Sequence, residues 1–265
     1  MTPVNKESEL AMSDFNNGYA RPLPQSADMS VDAGLRGFML GVYNKVALGL
    51  LVSAALAWVT GSYPPVRDLM FSTAVFPDGV TRLTGMTLLG MIVAFSPLVI
   101  LLGSNFVMKN PTSGAASALY WLIVALIGAS MGTVVLVYTG ASVIQTFLIT
   151  AAAFGALSLF GYTTKKNLTG LGSFLIMGVI GLVIASIVNM FLGSGTLYLI
   201  ISALGVLIFA GLIAYDTQRL KMTYYALGGD QNAMGVATGF GALSLFINFI
   251  NLFQFLLMFM GGNRE

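Results

Sequence analysis

Neither cysteine nor histidine occurs among the 265 residues, and only 8% of the chain is charged. Without thiols there are no disulfides, no thiolate nucleophile and no redox signature of a compartment. Without imidazole, zinc sites of the usual ligand types and every triad or base mechanism built on histidine are excluded. A hard cation such as calcium stays chemically open, because carboxylates, carbonyls, amides and water suffice to hold it. A strong charge of one sign is also lacking. The net charge is +2 and the cations sit between apolar runs rather than in a patch, so no nucleic-acid partner is expected.

What is present is apolar: 57% of the residues, with mean hydropathy +0.86. Such a balance belongs to an integral membrane protein, with the lipid bilayer as its first partner. Residues 1–35 mix charge, Asn, Ser and Pro without apolar periodicity and read as a flexible polar tail. The first long apolar run begins only near Gly37, so a secretory signal is not expected. Residues 36–265 then form the membrane domain.

Seven runs are long enough to cross about 30 Å of hydrocarbon as helices. They are Met39 to Thr60, Thr84 to Gly103, Ala116 to Tyr138, Ala141 to Gly161, Gly170 to Leu192, Thr196 to Leu220 and Val236 to Met260. Between them lie the loop-forming stretches "SYPPVRD" with "FPDG", "KNPTSG", "YTTKKNLTG" and "GGDQN". Between the third and fourth runs only Thr139 and Gly140 remain, which means either a tight helical hairpin or a displaced boundary. Seven crossings sort the 12 cations nine to three: Lys6, Arg21, Arg36, Lys45, Lys109, Lys165, Lys166, Arg219 and Lys221 against Arg67, Arg82 and Arg264. The excess of Lys and Arg on one side places the N-terminus in the cytoplasm and the C-terminus outside.

Several motif matches dissolve on inspection. "GASMG" (Gly128 to Gly132) fits the pattern of a nucleophile elbow, but it lies in mid-span with no strand before it and no histidine to serve it. Gly128 with Gly132, and Gly235 with Gly239, are expected to be sites of close helix packing instead. "FGALSLF" occurs at Phe154 to Phe160 and again at Phe240 to Phe246. Its flanks do not match, so a shared small-residue packing face is expected, the alternative being an inverted repeat. "YD" at Tyr215 and Asp216 with "GGD" at Gly228 to Asp230 is a poor intramembrane aspartyl protease, since the second acid sits in a polar turn and Leu227 holds a required glycine position.

The polar residues inside the last run are more informative. Ser244, Asn248 and Asn251 follow at steps of four and three and share a helix face, which should therefore be packed inside the bundle or line a wet cavity. Asp216 ends the sixth run. The midpoint of 216 and 248 is residue 232, inside the following turn, so a continuous sixth helix would bring Asp216 and Asn248 to similar depth on antiparallel neighbours. The plainer reading is an edge residue that pairs at i+3 with Arg219 and reaches water.

"AYDTQRLK" (Ala214 to Lys221), "ALSLFINFINLFQFLL" (Ala242 to Leu257), "LFGYTTKKNLTG" (Leu159 to Gly170) and "VYNKVALGLL" (Val42 to Leu51) together resemble the Bax inhibitor-1 family, also called the transmembrane Bax inhibitor motif family. The likeness covers most of the chain from Arg36 onward. It implies an all-α membrane protein, a seven-helix bundle with the last helix central, and a calcium leak gated by protons. In that family the gate is a pair of aspartates on the sixth and seventh spans, with an arginine latch near the end of the second. The first aspartate maps to Asp216 and the second position falls on Asn248, because "NFINLF" stands where the family's aspartate precedes "FINLF". The latch arginine has no direct counterpart, which leaves Lys109 and Arg219 as latch candidates.

The resemblance therefore implies a bacterial inner-membrane ion-leak protein, not an enzyme and without a cofactor, in which calcium is the ion that passes. Asp216 would contact the metal ion, Asn248 and Asn251 would line the path, and loss of the second carboxylate would weaken pH sensing. The alternative is a non-conducting interaction or quality-control protein whose partners are other membrane proteins. An intramembrane hydrolase is disfavoured, because neither a second intramembrane acid nor a histidine is available.

Overall fold

The computed structural model describes residues 33 to 262, apart from Asp78 and Val80 and the side chains of Asn105 and Val107. Within that range the elements are α1 (Ala33–Ser62), α2 (Pro64–Met70), β1 (Phe71–Val75), β2 (Thr81–Met86), α3 (Leu88–Val107), α4 (Ser113–Ser130), α5 (Gly132–Val137), α6 (Gly140–Thr163), α7 (Thr169–Leu192), α8 (Gly195–Leu227) and α9 (Gln231–Met260). Six stretches are long and apolar enough to cross a membrane: α1, α4 with α5, α6, α7, α8 and α9. The shorter apolar helix is α3.

The apolar residues divide between core and lipid. In α1 the buried residues Leu35, Phe38, Met39, Val42, Val46, Gly49 and Ser53 recur at three- and four-residue steps, while Leu40, Leu48, Leu51 and Trp58 are exposed. Exposed apolar side chains on such a scale would aggregate in water; hydrocarbon is the solvent that suits them. Half of the apolar stretch of α9 is buried, against 17% for α6 and for α7, and α9 packs on α8, α4 and α6. Leu175 and Leu182 of α7, Phe209, Leu212 and Ile213 of α8 and Leu252 of α9 form one core cluster.

Short polar residues start the helices. The hydroxyls of Thr87, Thr112, Thr139 and Ser194 accept from the backbone N–H three residues on, and the Asp230 carboxylate accepts from those of Asn232 and Ala233. Thr139 settles the narrowest connector. Only Tyr138 and Thr139 separate α5 from α6, so the third and fourth runs form a tight helical hairpin.

Three local readings are corrected. The expected polar tail ended at residue 35, yet α1 begins at Ala33 and Leu35 is fully buried. The rest of that tail, with Lys6 and Arg21, lies outside the described residues, as does Arg264. "SYPPVRD" is not all loop: Pro64 and Pro65 open the short helix α2, in a first turn where their missing N–H groups cost nothing. The second apolar run does not begin as helix at Thr84, because Thr84 to Met86 belong to β2, which pairs antiparallel with β1 from Phe71 opposite Met86 to Val75 opposite Thr81.

The glycine pairs do the packing work expected of them. A Cβ on Gly128 would stand 2.6 Å from the Cα of Ser53 in α1, and one on Gly132 would collide with Thr60 and Phe71. Gly235 and Gly239 lie in the same way against Ser113 and Ala116 of α4. Because the obstacle at Gly128 is backbone, Gly128→Val is expected to force α1 and α4 apart and cost about 1–3 kcal/mol or more. Thermal unfolding in detergent should show a lowered midpoint, whereas Gly181→Ala, inside α7 with nothing within 4 Å of the new Cβ, should not lower it.

Candidate functional site

α8 runs unbroken for 33 residues to Leu227, where Gly228 ends it in a left-handed conformation with φ +58°. Gly229 and Asp230 complete the turn into α9. This tight reversal sets residues equidistant from the turn side by side. The Nδ2 of Asn248 donates to Oδ2 of Asp216 at 2.7 Å, across 32 residues of sequence. The hydroxyl of Ser244, one turn nearer the bend, donates to the same oxygen.

The other carboxylate oxygen faces a cation. Arg219, one turn on along α8, places Nη2 at 3.0 Å from Asp216 Oδ1 and at 3.4 Å from Ser244 Oγ. Its guanidinium also lies 5.6 Å from the Tyr215 ring centroid. The side chain of Asp216 is 6% exposed and that of Arg219 48%. A buried carboxylate is stable only when paired and hydrogen-bonded, and here one oxygen takes an ion pair and the other two hydrogen bonds. The expected i+3 pair with Arg219 is present, but Asp216 does not reach water as an edge residue would: it is buried and locked to α9.

The other candidates sit apart from this cluster. Asn251 donates at 2.8 Å to the Ile247 carbonyl of its own helix. Lys109 is exposed in the α3–α4 loop, so the cation beside the carboxylate is Arg219. Among the described residues no three His, Cys, Asp or Glu side chains come together as a metal centre. Among the described residues, Asp216 is the single carboxylate of this cluster.

One polar residue, Gln218, escaped the sequence reading, and Lys221 was noted only for its charge. Gln218 accepts at 2.8 Å from the Leu168 N–H and donates at 2.8 Å to the Lys166 carbonyl, clamping the α6–α7 turn to α8. Lys221 supports the same end by donating at 3.2 Å to the Tyr162 carbonyl. Every polar residue of "YDTQRLK" except Thr217 thus has a named partner, the Tyr215 ring among them. Lys45, noted earlier only for its charge, donates at 2.8 Å to Ser117 Oγ inside the helical region, with its Nζ 5.6 Å from the Tyr120 ring centroid.

Six long apolar helices, lipid-facing leucines and a carboxylate locked between two helices define an α-helical integral membrane protein with a buried charged site. Residues 35–265 match the profile of the family described as inhibitor of apoptosis-promoting Bax1, and the chain belongs to that family. It is 68% identical over 255 residues to a protein of Caulobacter vibrioides, covering 96% of this chain and all of the relative. The inner membrane protein YbhL of Escherichia coli strain K12 is 40% identical over 233 residues, 88% of this chain and 94% of the relative. A membrane protein of Streptococcus pyogenes is 35% identical over 232 residues, 88% and 95% of the two chains.

Proposed function

We propose that this chain is a calcium-leak protein of the bacterial inner membrane, a non-enzymatic bundle of seven crossings with α9 at its centre and with proton sensing weakened by Asn248. The observation that carries the reading is the Asp216 carboxylate, buried between α8 and α9 and balanced by a cation from its own helix. A divalent ion needs oxygen ligands to leave water, and an intramembrane carboxylate is expensive to keep without a use. Asp216 and the Asn248 amide supply oxygens at one depth, and Asn251 continues the polar face one turn on. Arg219 is a tethered cation seated on the carboxylate. Its release toward water frees the site for calcium.

Position in the inner membrane draws on the naming of the Escherichia coli relative. A seventh crossing is supported by α3. Gly90 at its start lies against Met70 beside the hairpin, while Asn110 to Thr112, just past its end, share a groove with Thr223, Leu227 and Asn232 at the α8–α9 turn. Its 20 residues would span about 30 Å. With seven crossings and the nine-to-three cation bias, the N-terminus is cytoplasmic and the C-terminus outside. A reporter fused after Glu265 should be active only if it matures outside the cytoplasm; activity confined to the cytoplasm would overturn the count or the orientation.

Calcium release from liposomes holding the purified protein tests conduction directly. Release above protein-free liposomes is expected. Release no faster than theirs would favour the rival reading, a membrane docking or quality-control protein in which the Asp216 cluster only joins two helices.

A further inference from the structure

Between α1 and α6 lies an open groove of about 350 Å³, none of whose lining residues belongs to the Asp216 cluster. Its walls are apolar, with Met39 and Leu40 on one helix and Phe154 and Leu159 on the other, and Arg36 and Tyr162 stand together at one end. From Arg36 to Tyr43 the helix rises about 10 Å, the length of the groove along α1. One lining residue between the two walls is polar, Ser158. The Oγ of Ser158 is buried, on a residue only 5% exposed, and makes no hydrogen bond with the described chain. That hydroxyl lies beneath the groove wall, so the side walls of the groove present an apolar surface.

The mouth is cationic. Arg36 faces it, Lys221 reaches the Tyr162 carbonyl at 3.2 Å, and Lys165 and Lys166 follow within four residues of Tyr162. The carboxylates among the described residues are Asp68, Asp216 and Asp230, none of them on α1 or α6, and Asp216 is already engaged by Arg219. An apolar slot with a basic rim, on a helix pair otherwise facing hydrocarbon, complements a molecule with a hydrocarbon tail and a negative head.

We propose that this groove binds an anionic phospholipid, with one acyl chain between α1 and α6 and the phosphate at Arg36. The basic rim disfavours a choline headgroup, whose own cation would lie beside Arg36 and near Lys221.

The test uses the full chain extracted from vesicles of equal parts phosphatidylglycerol and phosphatidylcholine, with the retained lipid read by native mass spectrometry. The native protein should retain phosphatidylglycerol in preference to phosphatidylcholine. Arg36→Gln should lower that preference about fivefold, the factor equivalent to about 1 kcal/mol per cation at an anionic surface. Gly155→Phe should abolish tight retention of either lipid by filling the slot, since a Cβ at Gly155 meets nothing within 4 Å and the fold can accept it. Equal retention of the two lipids by the native protein would overturn the proposal. So would undiminished phosphatidylglycerol on Gly155→Phe, which would reduce the effect to surface charge, or a dimer that Gly155→Phe dissociates, which would make a second copy the occupant.

Discussion

Asp216→Asn is expected to lower calcium flux through the reconstituted protein about tenfold or more, and Arg219→Gln to raise it by a comparable factor. The size follows from a charge-assisted hydrogen bond, worth about 1.5–3 kcal/mol, with tenfold for each 1.4 kcal/mol. The opposite signs follow from the exposure of the two side chains. Asp216 is fixed in the interior by Ser244 and Asn248, whereas nearly half of the Arg219 side chain is exposed and can swing away. Removing the guanidinium leaves a negative site open to a mobile cation; removing the carboxylate charge leaves the cation nothing to bind. A purely structural pair predicts otherwise. Both substitutions would then loosen the α8–α9 contact and move flux in the same direction, together with the melting temperature. Flux from dye-loaded liposomes at equal protein content separates the cases, and equal flux in all three proteins would remove Asp216 from any ion path.

The Asp216 to Asn248 contact was legible because it depends on helix periodicity and on one tight turn, both of which are written locally. Residues 16 positions either side of residue 232 must meet if the two helices are continuous, and Gly228 with Asp230 marks where the chain reverses. Ser244 was legible for the same reason, as part of the polar face. Asn251 shows the limit of that reasoning. Sharing a face with Asn248 says nothing of which way its amide turns, and the Ile247 carbonyl of its own helix takes it. Gln218 was not legible at all: at the end of an apolar run a glutamine reads as solvent-facing, and its partners are backbone groups of a turn about 50 residues away. The hairpin was hidden differently. Thr84 to Met86 are uncharged and adjoin an apolar helix, so hydropathy joined them to it, while the ladder that makes them a strand lies with Phe71 and Ser72.

Asn248→Asp should convert a flux that varies little between about pH 6 and 8 into one that varies steeply across that window. The native Asn248 amide stands 2.7 Å from Asp216 Oδ2 as a hydrogen-bond donor, so the cluster carries one carboxylate against one guanidinium. An aspartate there replaces the donor by a second acceptor facing the same oxygen. Two carboxylate oxygens that close cannot both stay charged cheaply, and Arg219, the charged partner of Asp216 at this site, balances only one of them. As pH falls the pair takes up one proton and restores the hydrogen bond across α8 and α9; as pH rises the proton leaves and like charges press the two helices apart. Flux through Asn248→Asp should therefore be low at the acid end and rise with pH, with the native protein as the flat reference. Liposome release measured on both proteins across that range decides it. A steep native profile that the substitution leaves unmoved would assign proton sensing to another group, and position 248 would then have no part in the gate.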